Sequence, residues 1–173
     1  MVSAVRFKPL KGERLWKECI AGKTLEPKLK NELDRTNGHR IVVLNIESQP
    51  ALDNLDALLA VPGVDCTLIG PHDLSCNLGI PWEFDHPKFR AAVATVFEKS
   101  RAAGIGCGMH HACLPGLERQ DQGEAWLKAG ANFFVHSTDA DLYKRALKTE
   151  IAHFKKFVGD TRSAKGKGSD VVV

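Results

Sequence analysis

Four apolar runs divide much of the chain into repeating units. The runs "RIVVLNIE" (40–47), "VDCTLIG" (64–70), "IGCGMH" (105–110) and "NFFVHS" (132–137) are each followed by a segment with helical spacing of its apolar residues. The apolar residues of each run are continuous rather than alternating, which is typical of strands buried on both faces of a parallel sheet. The pattern therefore predicts an α/β protein built from four consecutive strand–helix units.

The segments between the runs carry the start and stop signals of helices. Ser48 and Thr138 stand at two expected helix starts, where a hydroxyl can cap the first turn. Gly63, Gly104 and Gly130 stand where the helices are expected to stop. In the helix expected over "HPKFRAAVATVFEKSRAAG" the apolar residues fall on one face; they are Phe89, Val93, Val96 and Phe97.

The two ends of the chain differ from this repeat. Residues 1–39 are predicted to be a loop and helix segment that leads to the first strand, with a polar helix in "LEPKLKNELDRTNG" and no clear period in "VRFKPLKGERLWKECIAGK". From residue 159 the composition turns to Gly, Ser and Lys, which predicts a disordered tail over 159–173. The main folded region is therefore expected to be residues 40–158.

Composition excludes several functional classes. The 173 residues are 43% hydrophobic and 26% charged, with a formal net charge of +3. Much of the positive excess lies in "TRSAKGKGSD", so we expect no nucleic-acid partner. No apolar run approaches the roughly 18 residues of a membrane span, and the first residues lack the apolar core of a signal peptide. Five cysteines without a C-x-x-C pair favour a reducing compartment, and we expect the cytoplasm.

Two carboxylates follow successive strands of the predicted sheet. Glu47 ends the first run, and Asp73 follows the second run in "IGPHDLS". Because parallel strands end at the same edge, these side chains are expected to lie close together, and a hard divalent cation such as Mg²⁺ would relieve their repulsion. Two structural roles remain open: Asp73 as the N-cap of the next helix, and Glu47 as a solvated residue favoured by a helix dipole.

Other candidate sites carry weaker signals. "GIGCG" (104–108) precedes a strand instead of following one, so it is interpreted as a helix stop and not as a phosphate loop. "CGMHHAC" (107–113) offers possible zinc ligands, but a second segment is normally needed, and His110 and His111 would point to opposite sides of a strand. One of these two histidines is expected to line the carboxyl edge, and His136 lines that edge or is structural.

The segment "LNIESQPALDNLDALLAVPGVDCTLIGPHDLSCNLGIP" resembles the HpcH/HpaI aldolase and citrate lyase family. These are metal-dependent enzymes of the phosphoenolpyruvate/pyruvate-barrel group, with macrophomate synthase as a fungal relative. The resemblance covers roughly residues 40–157, with a weaker echo in "AVRFKPL". It implies a partial TIM (β/α)₈ barrel, in which 40–158 supplies about the last four units as a half-barrel.

The resemblance also implies a function and a site. By position, Glu47 and Asp73 are the expected ligands of Mg²⁺ or Mn²⁺, and Gly70, Pro71 and His72 are expected beside the substrate. The implied activity is that of a divalent-metal-dependent carbon–carbon lyase of the aldolase type. It would act on a 2-keto acid (pyruvate or oxaloacetate) and an aldehyde through a metal-bound pyruvate enolate.

Several features depart from the family pattern. Complete TIM barrels have eight strands and about 250 residues, and the arginine and histidine that the family places in the first half match no residue here, so no catalytic residue is assigned. His72 stands where a small or uncharged residue is more common. Two alternatives therefore remain: a non-catalytic truncated paralogue that associates with full-length relatives, and an unrelated α/β binding domain. The unpaired edges of a half-barrel predict a homo-oligomer or co-assembly with a full-length relative.

Overall fold

The computed structural model describes residues 1–6, 12–110 and 120–160, with the backbone alone over 120–122. These residues form helices and strands in the order α1 (Val2–Arg6), α2 (Glu13–Ile20), α3 (Pro27–Asn37), β1 (Val43–Ile46), α4 (Gln49–Asp53), α5 (Leu55–Leu59), β2 (Cys66–Ile69), α6 (Pro71–Asn77), α7 (Pro87–Ala102), β3 (Gly106–His110), α8 (Gln120–Lys128), β4 (Phe133–Val135) and α9 (Asp139–Phe157).

The strands form one parallel sheet in sequence order, β1-β2-β3-β4. Ile46 pairs with Ile69, Ile69 with Met109, and Met109 with Phe134, so the carboxyl ends of all four strands are nearly level. The α/β class and the parallel sheet predicted from the four apolar runs are confirmed, and the strands pair in the order in which they occur in the chain.

The main core lies between one face of the sheet and helix α7. The α7 residues Phe89, Val93, Val96 and Phe97 are completely buried, as their spacing predicts. A buried hydrogen bond of 2.9 Å joins Thr67 Oγ1 of β2 to Ser100 Oγ of α7, which shows that Thr67 faces this helix. Since side chains alternate along a strand, Ile69 shares this face with Thr67, whereas Leu68 and Gly70 belong to the opposite face.

Strands β3 and β4 approach each other closely at Gly108. A Cβ atom added to Gly108 would overlap the carbonyl oxygen of Phe133 on the neighbouring strand. A glycine is therefore required here by contact and not by backbone conformation.

The N-terminal segment is more helical than its irregular pattern predicts, since α1 and α2 occupy part of the stretch interpreted as loop. Val2 of α1 is buried in the core cluster. The side chain of Arg6 donates to both carboxylate oxygens of Asp65 at 2.6 and 2.5 Å and to the Arg40 carbonyl at 3.0 Å. Asp65 also accepts from the backbone N–H of Val42 at 2.7 Å. These contacts attach the first helix to the segments that enter β1 and β2.

The helix expected after β1 is interrupted at Asn54. Its Nδ2 donates to the Pro50 carbonyl at 2.9 Å, and its backbone leaves helical geometry with φ −106° and ψ 17°. Two short helices, α4 and α5, therefore replace one, and they meet at the non-helical backbone of Asn54.

The chain divides into two compact units, Met1–His136 and Ser137–Val173. In the second unit, Thr138 caps α9 by accepting the backbone N–H of Asp141 on Oγ1 at 3.1 Å. The predicted tail beyond residue 160 lies outside the described residues. Within the described ranges, none of the helices has both the length and the hydropathy needed to cross a membrane.

Candidate functional site

Glu47 is half-buried and directly follows β1 at the carboxyl edge of the sheet. The side-chain amide of Asn45, two residues earlier on the same strand face, donates to Glu47 Oε2. The next helix begins after Ser48, whose Oγ accepts the backbone N–H of Ala51 at 3.4 Å. Glu47 therefore precedes the cap of α4 and lies between strand and helix, with one carboxylate oxygen held by a neighbour.

Asp73 lies in the first turn of α6, immediately after β2. The N-cap position of α6 is taken by Gly70, and no side chain of the described residues caps this helix. Asp73 is thus the third helical residue and not the cap, which removes the N-cap explanation of its position. Its side chain is exposed. Because Ile46 and Ile69 are paired, Glu47 and Asp73 both follow strand ends at the same edge.

At Gly70, the residue after β2, the backbone lies directly against the Glu47 carboxylate. A Cβ atom at position 70 would lie 2.5 Å from Glu47 Oε2 and 3.2 Å from Glu47 Cβ. The backbone of Gly70 has φ −87°, which any residue can adopt. The glycine therefore leaves space for the glutamate, which follows the neighbouring strand β1.

Asn77, the last residue of α6, connects the two strand ends through their backbones. Its Nδ2 donates to the carbonyl of Asp73 at 3.0 Å and to the carbonyl of Glu47 at 3.3 Å. One side-chain amide thus holds the main chains of both acidic residues.

The remaining residues of the turn face an aromatic cluster. Pro71 is buried and has no N–H to donate, so only Gly70 and His72 of this trio retain backbone donors. The His72 ring lies 4.2 Å from the ring of Trp82 and 5.5 Å from that of Phe84, measured between centroids. Its Nε2 atom is buried and has no hydrogen-bond partner among the described residues.

Ser75 fixes the loop that carries Trp82. Its buried hydroxyl donates to the His72 carbonyl at 2.8 Å and accepts the backbone N–H of Trp82 at 3.1 Å. Trp82 has φ 66°, an uncommon conformation for a bulky residue, and its side chain is 50% exposed. The indole is therefore held beside His72 with one side open to solvent.

The histidines of the later strands lie at the same edge of the sheet. His110 ends β3 and His136 follows β4. Alternation along β3 places His110 on the face opposite Met109, which is the face of Asn45 and Glu47. His111 falls outside the described residues.

The described part of "CGMHHAC" is a poor zinc site. Cys107 and His110 lie on opposite faces of β3, because they are three positions apart along the strand. Burial raises the pKa of the Cys107 thiol, and its Sγ donates to the Gly130 carbonyl at 3.3 Å. Cys113 lies outside the described residues. Across residues 1–6, 12–110 and 120–160, no three side chains of His, Cys, Asp or Glu gather as a metal centre of protein ligands alone would require.

Comparison with known proteins identifies the family. The model of the HpcH/HpaI aldolase/citrate lyase family matches residues 1–134. The chain belongs to this family. The matched range of this HpcH/HpaI chain begins at residue 1 and so includes α1, α2 and α3.

Its relatives agree with the family assignment. The 2-keto-3-deoxy-L-rhamnonate aldolase of Escherichia coli K12 is 37% identical over 155 residues, which are 90% of this chain and 55% of that enzyme. The HpcH/HpaI aldolase from Desulfitobacterium hafniense superposes with a TM-score of 0.63 at 25% identity, over 87% of this chain and 57% of that one. Macrophomate synthase gives 0.62 at 20% identity, over 94% and 55%, and shows the fold alone.

Two conclusions follow for this HpcH/HpaI chain. Its four-stranded parallel sheet is a partial TIM-type barrel, as the resemblance implied. The chain spans about half the length of the curated relatives that it matches.

Two residues that support the predicted ligands, Asn45 and Asn77, were not predicted from the sequence. Asn45 interrupts an apolar strand two residues before Glu47, and a polar residue on a buried strand is a signal that could have identified it. Asn77 gave no such signal, because its contact with Glu47 joins residues 30 positions apart.

Proposed function

We propose that this chain supplies the metal-binding half of the active site of an aldolase-type carbon–carbon lyase. In this proposal Glu47 and Asp73 bind Mg²⁺ or Mn²⁺, and the cation receives a 2-keto acid. The observation that carries the proposal is the juxtaposition of two strand ends: Glu47 and Asp73 follow paired residues, and Gly70 leaves room for the glutamate.

The donor set fits a hard cation. Carboxylate oxygens are the ligands that Mg²⁺ takes from proteins, and one or two of them suffice when water and substrate supply the rest. Glu47 has one oxygen engaged by Asn45, which orients the side chain, and Asp73 is exposed. Supporting hydrogen bonds of this kind commonly orient metal ligands.

The cation, when bound, would act as a Lewis acid toward the keto acid. The chain's own groups would position the substrate. The backbone N–H groups of Gly70 and His72 are donors at the start of α6, where the helix dipole favours an anion such as a carboxylate. Pro71 has no N–H, so its contribution is to fix the backbone between those donors.

The proposed substrates follow from chemistry and from the relatives. A 2-keto-3-deoxy acid, the substrate class named for the Escherichia coli relative, is the aldol adduct of pyruvate and an aldehyde. Cleavage of such an acid would release these two compounds. The keto-binding arginine and proton-transfer histidine expected of the family have no counterpart here, so full turnover would require a longer relative or a second chain to supply them.

A non-catalytic role is the second candidate. In this role the chain, which covers 55% of the length of the Escherichia coli aldolase, would associate with complete relatives. Both candidate functions keep the cation site. Only the first predicts catalytic turnover.

Mn²⁺ binding, measured by electron paramagnetic resonance of the free ion, tests the proposal. The unmodified chain should bind Mn²⁺ weakly at one site. Glu47→Gln and Asp73→Asn should each lower the affinity by at least the roughly 10- to 100-fold expected from loss of a supporting residue. Asp56→Asn is the matched control, because Asp56 lies in the first turn of α5 as Asp73 does in α6. Equal affinity in the parent and both site variants would show that these carboxylates hold no cation.

A further inference from the structure

The side chain of Asn77 contacts the backbone of each proposed metal ligand. It is exposed at the end of a seven-residue helix, and its side chain bonds two carbonyl oxygens from different segments. Asp73 is four residues earlier on the same helix, whereas Glu47 belongs to the end of the preceding strand–helix unit.

The first of these bonds is a common local contact. Asn54 makes the same bond to the carbonyl of Pro50, four residues earlier, at 2.9 Å. Hydroxyl groups do likewise: Thr95 bonds Ala91 at 2.9 Å, and Thr149 bonds Arg145 at 3.0 Å. A bond to the fourth preceding carbonyl therefore has no bearing on a site by itself.

The second bond distinguishes Asn77. Its Nδ2 donates at 3.3 Å to the carbonyl of Glu47, the residue at the end of β1. An amide nitrogen carries two hydrogens and can serve two acceptors, which a hydroxyl, with one hydrogen, cannot. The same atom therefore connects the backbone of the first predicted ligand to that of the second.

We propose that Asn77 is a positioning residue that sets the separation of the Glu47 and Asp73 carboxylates for a divalent cation. This inference rests on the proposed function. Asn45 orients the Glu47 side chain, and Gly70 provides its space, but neither bonds Asp73. Among the hydrogen bonds of the described residues, those of Asn77 link both main chains directly.

Two substitutions separate the local bond from the link between segments. Asn77→Thr should retain a bond to the Asp73 carbonyl, as threonines elsewhere in the chain do, and should lose the bond to Glu47. Asn77→Ala should lose both. Asn54→Ala is the matched control, because it removes only the local type of bond from another short helix.

The experiment measures the Mn²⁺ dissociation constant and the unfolding temperature of the full chain for each variant. We expect Asn77→Thr and Asn77→Ala to bind Mn²⁺ about 10-fold more weakly than the parent, in the lower range for supporting residues. Asn54→Ala should keep the parent affinity. Asn77→Thr should unfold near the parent temperature, which makes its weaker binding independent of helix stability.

The outcomes distinguish this inference from the function on which it rests. If the parent binds Mn²⁺ through Glu47 and Asp73, but Asn77→Thr binds as tightly as the parent, Asn77 has no positioning role. An equal loss of Mn²⁺ affinity in Asn54→Ala would also contradict the proposal, because the effect would then arise from helix stability. If the parent shows no carboxylate-dependent binding, the proposed function is wrong and this inference is overturned with it.

Discussion

The carboxylate of Glu47 lies directly over Gly70, so that Oε2 occupies a position only 2.5 Å from where a Cβ at residue 70 would be. The two residues belong to paired neighbouring strand ends, one directly after β1 and the other directly after β2. The space for one predicted metal ligand is thus created by the absence of a side chain beside it.

Gly70→Ala should therefore disturb the site more than the fold. Gly70 has φ −87°, which alanine adopts without strain, and the nearest obstacle is the end of a flexible side chain. The Glu47 carboxylate should be displaced, and Mn²⁺ affinity should fall by roughly 10-fold or more, as for loss of a supporting residue. Isothermal titration with Mn²⁺ and thermal unfolding measure the two effects. A large drop in unfolding temperature with unchanged affinity would contradict this expectation.

Gly108→Ala should, in contrast, lower the stability of the fold more than it disturbs the site. The added methyl would overlap the backbone of Phe133, which cannot move without disturbing the pairing of β3 and β4. Overpacking of this kind costs about 1–3 kcal/mol, and occasionally more. Urea denaturation measures the loss. Gly79→Ala is a useful comparison: Gly79 has φ 75° and nothing within 4 Å of its added Cβ, so only the backbone penalty, about 1–2 kcal/mol, applies there.

Substitutions at Thr67 and Ser100, which share a buried hydrogen bond, should have non-additive effects on the stability of the fold. Both residues are completely buried, and Thr67→Val leaves the Ser100 hydroxyl without this partner. An unsatisfied buried group costs about 1–3 kcal/mol, whereas removal of both partners is far less costly. The double variant Thr67→Val with Ser100→Ala should therefore be more stable than the sum of the single effects predicts. Strict additivity in urea denaturation would show that the bond contributes nothing.

Alkaline pH should destabilise the fold in part through Cys66. Burial raises the pKa of its thiol to about 11 from an ordinary value of 9.0, and the neighbouring Cys107 and Asp65 act in the same direction. Because the folded chain holds this proton more tightly than the unfolded chain, the free energy of unfolding falls as pH rises from about 9 to about 11. The contribution is fully present below pH 9.

Cys66→Ala isolates this effect, since tyrosine and lysine titrate in both proteins. The parent should lose more stability than the variant between pH 9 and pH 11 in parallel urea titrations. Identical pH profiles would show that the Cys66 thiol titrates normally in the fold.

Oxaloacetate decarboxylation tests the proposed chemistry with the chain alone. Addition of Mg²⁺ or Mn²⁺ should give a rate above that of the free ion, because this reaction depends mainly on the cation. Glu47→Gln and Asp73→Asn should return the rate to the free-ion background. Aldol turnover should be very low, since loss of one preorganised donor typically costs about 10²- to 10³-fold and loss of acid–base assistance about 10²- to 10⁴-fold.

Much of the fold could be predicted from the sequence because its signals are local. The continuous apolar runs indicated buried parallel strands, and the spacing of Phe89, Val93, Val96 and Phe97 identified the buried face of α7. The break at Asn54 was missed because leucine spacing indicates a helix face but does not report the backbone conformation of one residue between the leucines. Helix α1 was missed because its five residues are too few to display a period.

Only part of the site could be predicted from the sequence, and the two signals for it were the strand ends and the family resemblance. Both indicated Glu47 and Asp73, and their role as ligands stays a prediction. The contacts of Asn77 with Glu47 and of Gly70 with Glu47 depend on the pairing of two strands and on the path of α6. Such contacts are set by tertiary structure, and no local pattern records them.

The order of the strands has a consequence for how the protein forms during synthesis. Among the described strands, β2, β3 and β4 each pair with the strand that precedes them in the chain, so each meets a neighbour that is already synthesised. Each pairing among the described strands therefore closes the loop of a single strand–helix unit, which limits its entropic cost. β1, β2, β3 and β4 can therefore pair one after another in the direction of translation.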